Sequence, residues 1–241
     1  MAHFRKPIKK EKKFFSHKDV ESLTVSDKMI GEGAFGRVFE GVLKFKGQKA
    51  IKVAVKKFKS VDFEEGTGLE IGERQVEFFR NLIRKLSEVG IKVPKMDFVK
   101  ANGEYVLVSE LFSSKGESKL WEGHYHYEKF DYLSEKVQNQ LMNDLGKLAG
   151  KVESLGHILF FDMVGFFHGN NKIELLIHDI DNFIYNEFKF DSSNPRTVRK
   201  ANNRLKDLVD KALIAAVLTD SRKQELRKIF SDALGRNPWS E

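Results

Sequence analysis

The 241-residue chain has no cysteine. Disulfides, cysteine-based metal centres and a thiol nucleophile are therefore excluded. It has no apolar run of about 18 residues or more, so no membrane-spanning helix is predicted. The N-terminal stretch MAHFRKPIKKEKKFF carries charge with no apolar segment behind it, which is unlike a secretory signal. No internal repeat is visible. What the chain does have is 41% hydrophobic residues, 32% charged residues and 21 Phe. That supports a buried core and excludes a wholly disordered chain. At about 150 residues per domain, the length predicts one to two compact units.

The net charge is +7, and it is unevenly placed. Residues 1–18 hold seven Lys/Arg against one Glu, which leaves the body close to neutral. The reading is a basic tail over 1–20, able to meet an acidic partner or remain a solvated leader.

Strand patterning opens the body. VFEGVLKF (38–45) and AIKVAVKKF (50–58) are β-branched and aromatic, with Lys46-Gly47-Gln48 as the turn between them. Residues 61–68 read as a loop. Residues 69–89 predict a long amphipathic helix with Val76, Phe79, Leu82, Ile83 and Leu86 at helical spacing. MDFVKA and EYVLVSELF follow as two strands joined at Asn102-Gly103. Residues 113–130 are polar and aromatic without a clean period. Residues 131–156 predict a helix, and two apolar runs around Gly169-Asn170-Asn171 predict a buried hairpin. Two terminal helices are expected at 196–218 and 220–235.

Residues 30–38 read I-G-E-G-A-F-G-R-V, with glycines at 31, 33 and 36. In a dinucleotide-binding fold such a triplet must open a helix. Here a strand pattern follows, so the glycines sit between two strands, where bare backbone can close over phosphate. V-A-V-K follows at 53–56, and a lysine ending an apolar strand is costly to bury without an anionic partner. Ala50-Ile51-Lys52 is a competing frame. Lys56 is preferred because Val53-Ala54-Val55 is the better buried run.

Together these residues resemble the N-terminal lobe of the eukaryotic-like protein kinase superfamily, as a minimal or atypical member with a divergent catalytic loop. The resemblance covers residues 25–60 well and EYVLVSELF loosely. It implies an α+β, two-lobed kinase-like fold. Residues 21–112 would form an antiparallel β lobe with one helix, and residues 113–241 a reduced, mostly helical lobe. It implies ATP and Mg²⁺ as cofactors. Gly31, Gly33, Gly36, Val38, Ala54 and Lys56 would hold the nucleotide. Ser109 would be the gatekeeper, with the Glu110 carbonyl and the Phe112 amide facing adenine. The helix carboxylate paired with Lys56 would be Glu77, with Glu73 as the alternative.

The second half departs from the family pattern. Asp179, after Leu175 and Ile177, would be the Mg²⁺ ligand of a D-x-D motif, with Asp181 assisting. Asn170 lies only nine residues before Asp179, too close for a catalytic loop and a hairpin. Asp162 lies 17 residues before it and is the expected base, while the family's metal-binding Asn falls on Phe167. Only 60 residues follow Asp181, too few for a full set of helices in the second lobe. His124 and His126 have no third ligand near in sequence, so a metal site there is not expected.

The function expected from this resemblance is a minimal Ser/Thr-type protein kinase acting on a protein substrate in the cytoplasm, or in a host cytosol for a secreted effector. A pseudokinase serving as a binding module and a sugar or lipid-headgroup kinase are the alternatives. Nucleic acid is not an expected partner, because the basic stretch 196–211 is mixed in charge.

Overall fold

The computed structural model describes residues 19–33, 36–58, 71–110, 119–122, 133–159, 164–169, 172–177, 180, 183, 189–214 and 216–240. The chain is α+β and forms two compact units, Met1–Val76 with Lys95–Leu111 and Glu77–Pro94 with Phe112–Glu241.

The first unit is built on a five-stranded antiparallel sheet in the order β1-β2-β3-β5-β4. Its strands are β1 (Val20–Gly33), β2 (Gly36–Phe45), β3 (Ile51–Phe58), β4 (Met96–Ala101) and β5 (Glu104–Glu110). Strand alternation sends Leu43, Phe45, Val53, Val55, Val99, Val106 and Val108 into one buried cluster. Burying each such side chain contributes about 1.5–3 kcal/mol. The β4–β5 hairpin turns at Asn102 and Gly103, with φ of 52° and 88°. Two successive left-handed residues match the twist of the flanking strands, which is why Asn-Gly serves there.

α1 (Glu73–Glu88) starts in the first unit and ends in the second. Val76, Phe79, Leu82 and Leu86 are its buried stripe. The second unit contains α2 (Glu135–Ser154), a small antiparallel sheet and two terminal helices, α3 (Pro195–Ile214) and α4 (Asp220–Leu234). The small sheet is β6 (Lys119–Glu122), β7 (Val164–Gly169) and β8 (Lys172–Ile177), in that order. The expected hairpin is there, with Gly169 paired to Lys172. β6 corrects the reading of 113–130 as patternless: it pairs Leu120 with Phe167 and Trp121 with Phe166. Four residues are too short to show a period, and their pairing partner lies more than 40 residues away.

α2 buries Val137, Leu141, Leu145, Leu148 and Val152 and packs on α4 and β8. Gly146 lets α4 approach: a Cβ there would lie 2.5 Å from the Phe230 carbonyl oxygen and 2.9 Å from the Ala233 Cβ. α3 starts at Asn194-Pro195, where the Asn194 Oδ1 accepts from the Arg196 N–H at 3.0 Å. α4 is capped by the Thr219 Oγ1, which accepts from the Arg222 N–H at 3.3 Å, and stops at left-handed Gly235.

Candidate functional site

The site grows out of β1, β2 and β3. β1 and β2 are joined through residues 34 and 35, and the glycines occupy the ends of the two strands. Gly33 pairs with Gly36, Glu32 with Arg37 and Gly31 with Val38. The hairpin is thus continuous strand on both sides, not a strand running into a helix. An ion pair from Arg37 Nε to Glu32 Oε1 at 3.0 Å closes its end. Both side chains are well exposed, so the pair contributes little, on the order of 0–1 kcal/mol.

Register carries this geometry to β3. Val38 pairs with Lys56, Glu40 with Ala54 and Gly36 with Phe58. On the far side Ala54 pairs with Ser109 and Lys56 with Leu107. Cross-strand partners share a face of the pleat. Gly31, Gly36, Val38, Ala54, Lys56, Leu107 and Ser109 therefore lie on one face, opposite the buried Val53, Val55 and Val108. Val38, Ala54, Lys56 and Ser109 are half-buried.

Gly36 is fixed by packing. A Cβ there would sit 2.4 Å from the Lys57 carbonyl oxygen and 3.4 Å from the Lys56 Cε. Any side chain would thus be driven into β3 and against the Lys56 stem. At Gly31 the nearest atom to an added Cβ is the Val38 Cβ at 3.9 Å, so a group can approach the backbone there. The Lys56 Nζ lies 5.9 Å from the centroid of the Phe58 ring, and Phe58 stacks on the fully buried Phe98 at 6.0 Å. This aromatic floor under the ammonium group was not singled out from the sequence. Its signal was the i, i+2 alternation of Lys56 and Phe58 on one strand.

Lys52 shares this face but is exposed and pairs with Val42. It lies near Glu40, whose carboxyl is held below its ordinary range by a 2.6 Å hydrogen bond from Lys28, with the Lys28 and Lys52 charges adding. The environment thus separates the two frames: Lys52 belongs to a surface charge cluster and Lys56 to the glycine hairpin.

Glu110 is half-buried at the end of β5. Its N–H donates to the Lys95 carbonyl at 2.9 Å, and its Oε1 accepts from the Lys95 N–H at 3.0 Å. Both contacts tie it to the start of β4. Glu73 and Glu77 are exposed on α1, Glu73 within the first unit and Glu77 within the second. Asp162, Asp179, Asp181 and Phe112 lie outside the described residues, as do Asn170, His124 and His126. Phe167 stands within β7, paired with Leu120 and Glu174. Among the described residues no cluster of three or more His, Asp or Glu could hold a metal ion. No helix among them is long and apolar enough to cross a membrane.

Among the described residues, the second unit holds one perturbed histidine. His157 follows α2, with its ring edge on Phe183 at 4.9 Å and its Nδ1 buried without a hydrogen-bond partner. Burial, and then the charges of Lys85 and Lys189, lower its pKa from the usual 6.5. The unfolded chain therefore takes up this proton before the folded one does. Stability from this group is fully present above pH 6.5 and falls as the pH drops through the folded pKa. Urea midpoints measured from neutral to mildly acidic pH should fall more steeply for wild type than for His157→Phe. Parallel curves would show that His157 does not set this dependence.

No family model matches the sequence, and no curated protein matches it.

Proposed function

We propose that this chain is an ATP-dependent phosphotransferase of the protein-kinase type: a minimal Ser/Thr-type kinase that passes the γ-phosphoryl group of ATP, with Mg²⁺, to a protein hydroxyl. One observation carries the reading. Strand register gathers Gly31, Gly36, Val38, Ala54 and Lys56 onto one face of one sheet, with Gly33 paired to Gly36. Backbone open to approach at Gly31, a small residue at Ala54 and an ammonium group at Lys56 suit a flat base bearing a polyphosphate. In this reading Lys56 binds the phosphates, Glu77 or Glu73 orients it, and Asp179 and Asp181 take the metal. Asp162 accepts the proton of the attacking hydroxyl. Mg²⁺ would neutralise charge on the phosphates.

Phe167 favours a second reading. The position of the family's second metal-binding residue is occupied by a phenylalanine in a paired strand, which fits a nucleotide-binding pseudokinase.

The test is transfer from γ-labelled ATP with Mg²⁺, to the chain itself and to generic acceptor proteins. Asp179→Ala and Asp162→Asn should each lower incorporation by about a hundredfold or more. ATP binding without any transfer selects the pseudokinase. A chain that does not bind ATP at all defeats both readings.

A further inference from the structure

The twenty-residue helix α3 has an unusual charge order. Arg196, Arg199, Lys200, Arg204 and Lys206 all fall in its first twelve residues, a stretch with no Asp or Glu. Cations stabilise helix C-termini, where the macrodipole is negative, and are unfavourable at the N-terminal end. Of the five only Arg196 stands in the first turn, where it opposes the dipole. Its opposite face is committed to the core through Ala201, Leu205, Leu208, Val209, Ala212 and Leu213. At 100° per residue, Arg196, Lys200, Asp207 and Ile214 lie within one narrow sector of the outward face, with Arg199 and Arg204 flanking it. At the far end of this face Ile214 is 73% exposed, and just beyond the helix Val217 is 92% exposed.

We propose that this face of α3 docks on an anionic lipid bilayer, the arginines and lysines over the headgroups and Ile214 and Val217 entering the acyl boundary. The aliphatic pair decides between polyanions. Lys/Arg at a charged surface gain from lipid and nucleic-acid phosphates alike. Isoleucine and valine gain nothing from a solvated phosphate backbone, but they gain from the interfacial zone of a membrane. Two acids lie on this face, Asp207 and Asp210; Asp210 accepts from Arg227 at 2.9 Å and from Trp239 at 3.2 Å, and both acids stand toward the aliphatic end, past the run of cations. This inference is independent of the nucleotide reading, and neither stands or falls with the other.

The test is co-sedimentation of the full chain with phosphatidylcholine vesicles, with and without about one-third phosphatidylserine, near physiological salt. Wild type should partition onto the serine-containing vesicles alone. At roughly fivefold per cation, Arg196→Gln/Arg199→Gln/Lys200→Gln should weaken partitioning by about a hundredfold. Ile214→Ser/Val217→Ser should weaken it by about fivefold or more while leaving affinity for duplex RNA unchanged. None of the five positions is buried, so circular dichroism should stay that of wild type. Wild-type partitioning by the triple variant would mean that the basic tail alone binds, and would overturn the proposal. So would an aliphatic variant that binds vesicles as wild type does, or a chain that binds RNA and ignores vesicles.

Discussion

Lys56→Met is expected to lower phosphoryl transfer from ATP by about a hundredfold or more while changing folding stability by less than about 1 kcal/mol. Methionine keeps the length of the stem that crosses Gly36 and rests over Phe58, so the packing of β3 survives. What is lost is the positive charge on the face shared with the glycine hairpin. A charge-assisted contact to a phosphate in a partly dry site has no substitute in a thioether. Lys52→Met is the matched control. It removes the same charge from the same face, four residues from Lys56, beside the half-buried Glu40. It should leave transfer within about twofold, as an exposed charge screened by salt does. If Lys52→Met is the damaging change and Lys56→Met is silent, the V-A-V-K frame is wrong. If neither matters, the face does not serve phosphoryl transfer.

Arg236→Ala is expected to destabilise the second unit by about 3 kcal/mol. The Arg236 guanidinium binds Glu153 of α2 through both Nη atoms, at 2.5 and 2.6 Å, and its Nε donates to the Asn202 Oδ1 of α3 at 3.0 Å. It also lies over the Phe190 ring at 5.7 Å. The Glu153 side chain is only 7% exposed against 28% for Arg236. Removing the arginine thus leaves a buried carboxylate with no counter-charge, the costly direction in which to break such a pair. Arg236→Lys should recover little, because an ammonium group cannot span both carboxylate oxygens and Asn202 together. Glu153→Gln should cost less, and in the double variant Glu153→Gln/Arg236→Ala much of the loss should disappear. Trp239 reports the transition: its Nε1 donates to the Asp210 Oδ2 at 3.2 Å, and its ring stands edge-on to Phe230 at 6.0 Å. A shift in the urea midpoint of its emission worth less than about 1 kcal/mol would show that the last turn of the chain does not hold α2 and α3 together.

Local pattern made most elements readable. β2, β3, β4 and β5 follow runs of β-branched and aromatic residues between turn signals, and Asn102-Gly103 makes the left-handed turn its residues favour. α2, α3 and α4 follow apolar periods and start at Ser134, Asn194 and Thr219, residues suited to the first position of a helix. α3 ends at Ile214 rather than at 218, because Ala216, Val217 and Leu218 extend the composition of a helix without its backbone. β6 was illegible for the opposite reason: its backbone is extended only through its partner β7, and no local feature of Lys119–Glu122 demands it.

The sequence by itself determined the ingredients of the candidate site: three glycines between two strands and a lysine closing an apolar run. These are local properties, set by backbone freedom and by the two-residue period of a strand. Tertiary structure decided which lysine joins the glycines. A shift of one residue between β2 and β3 would send Lys56 to the opposite face and place Val55 beside Val38. Only the observed register, fixed by the buried packing of Leu43, Val53 and Val55, aligns Val38 with Lys56. The clamp of Arg236 on Glu153 and Asn202 is decided at the same level, because its partners lie 83 and 34 residues away and only chain folding brings a carboxylate and an amide from such distances onto one guanidinium.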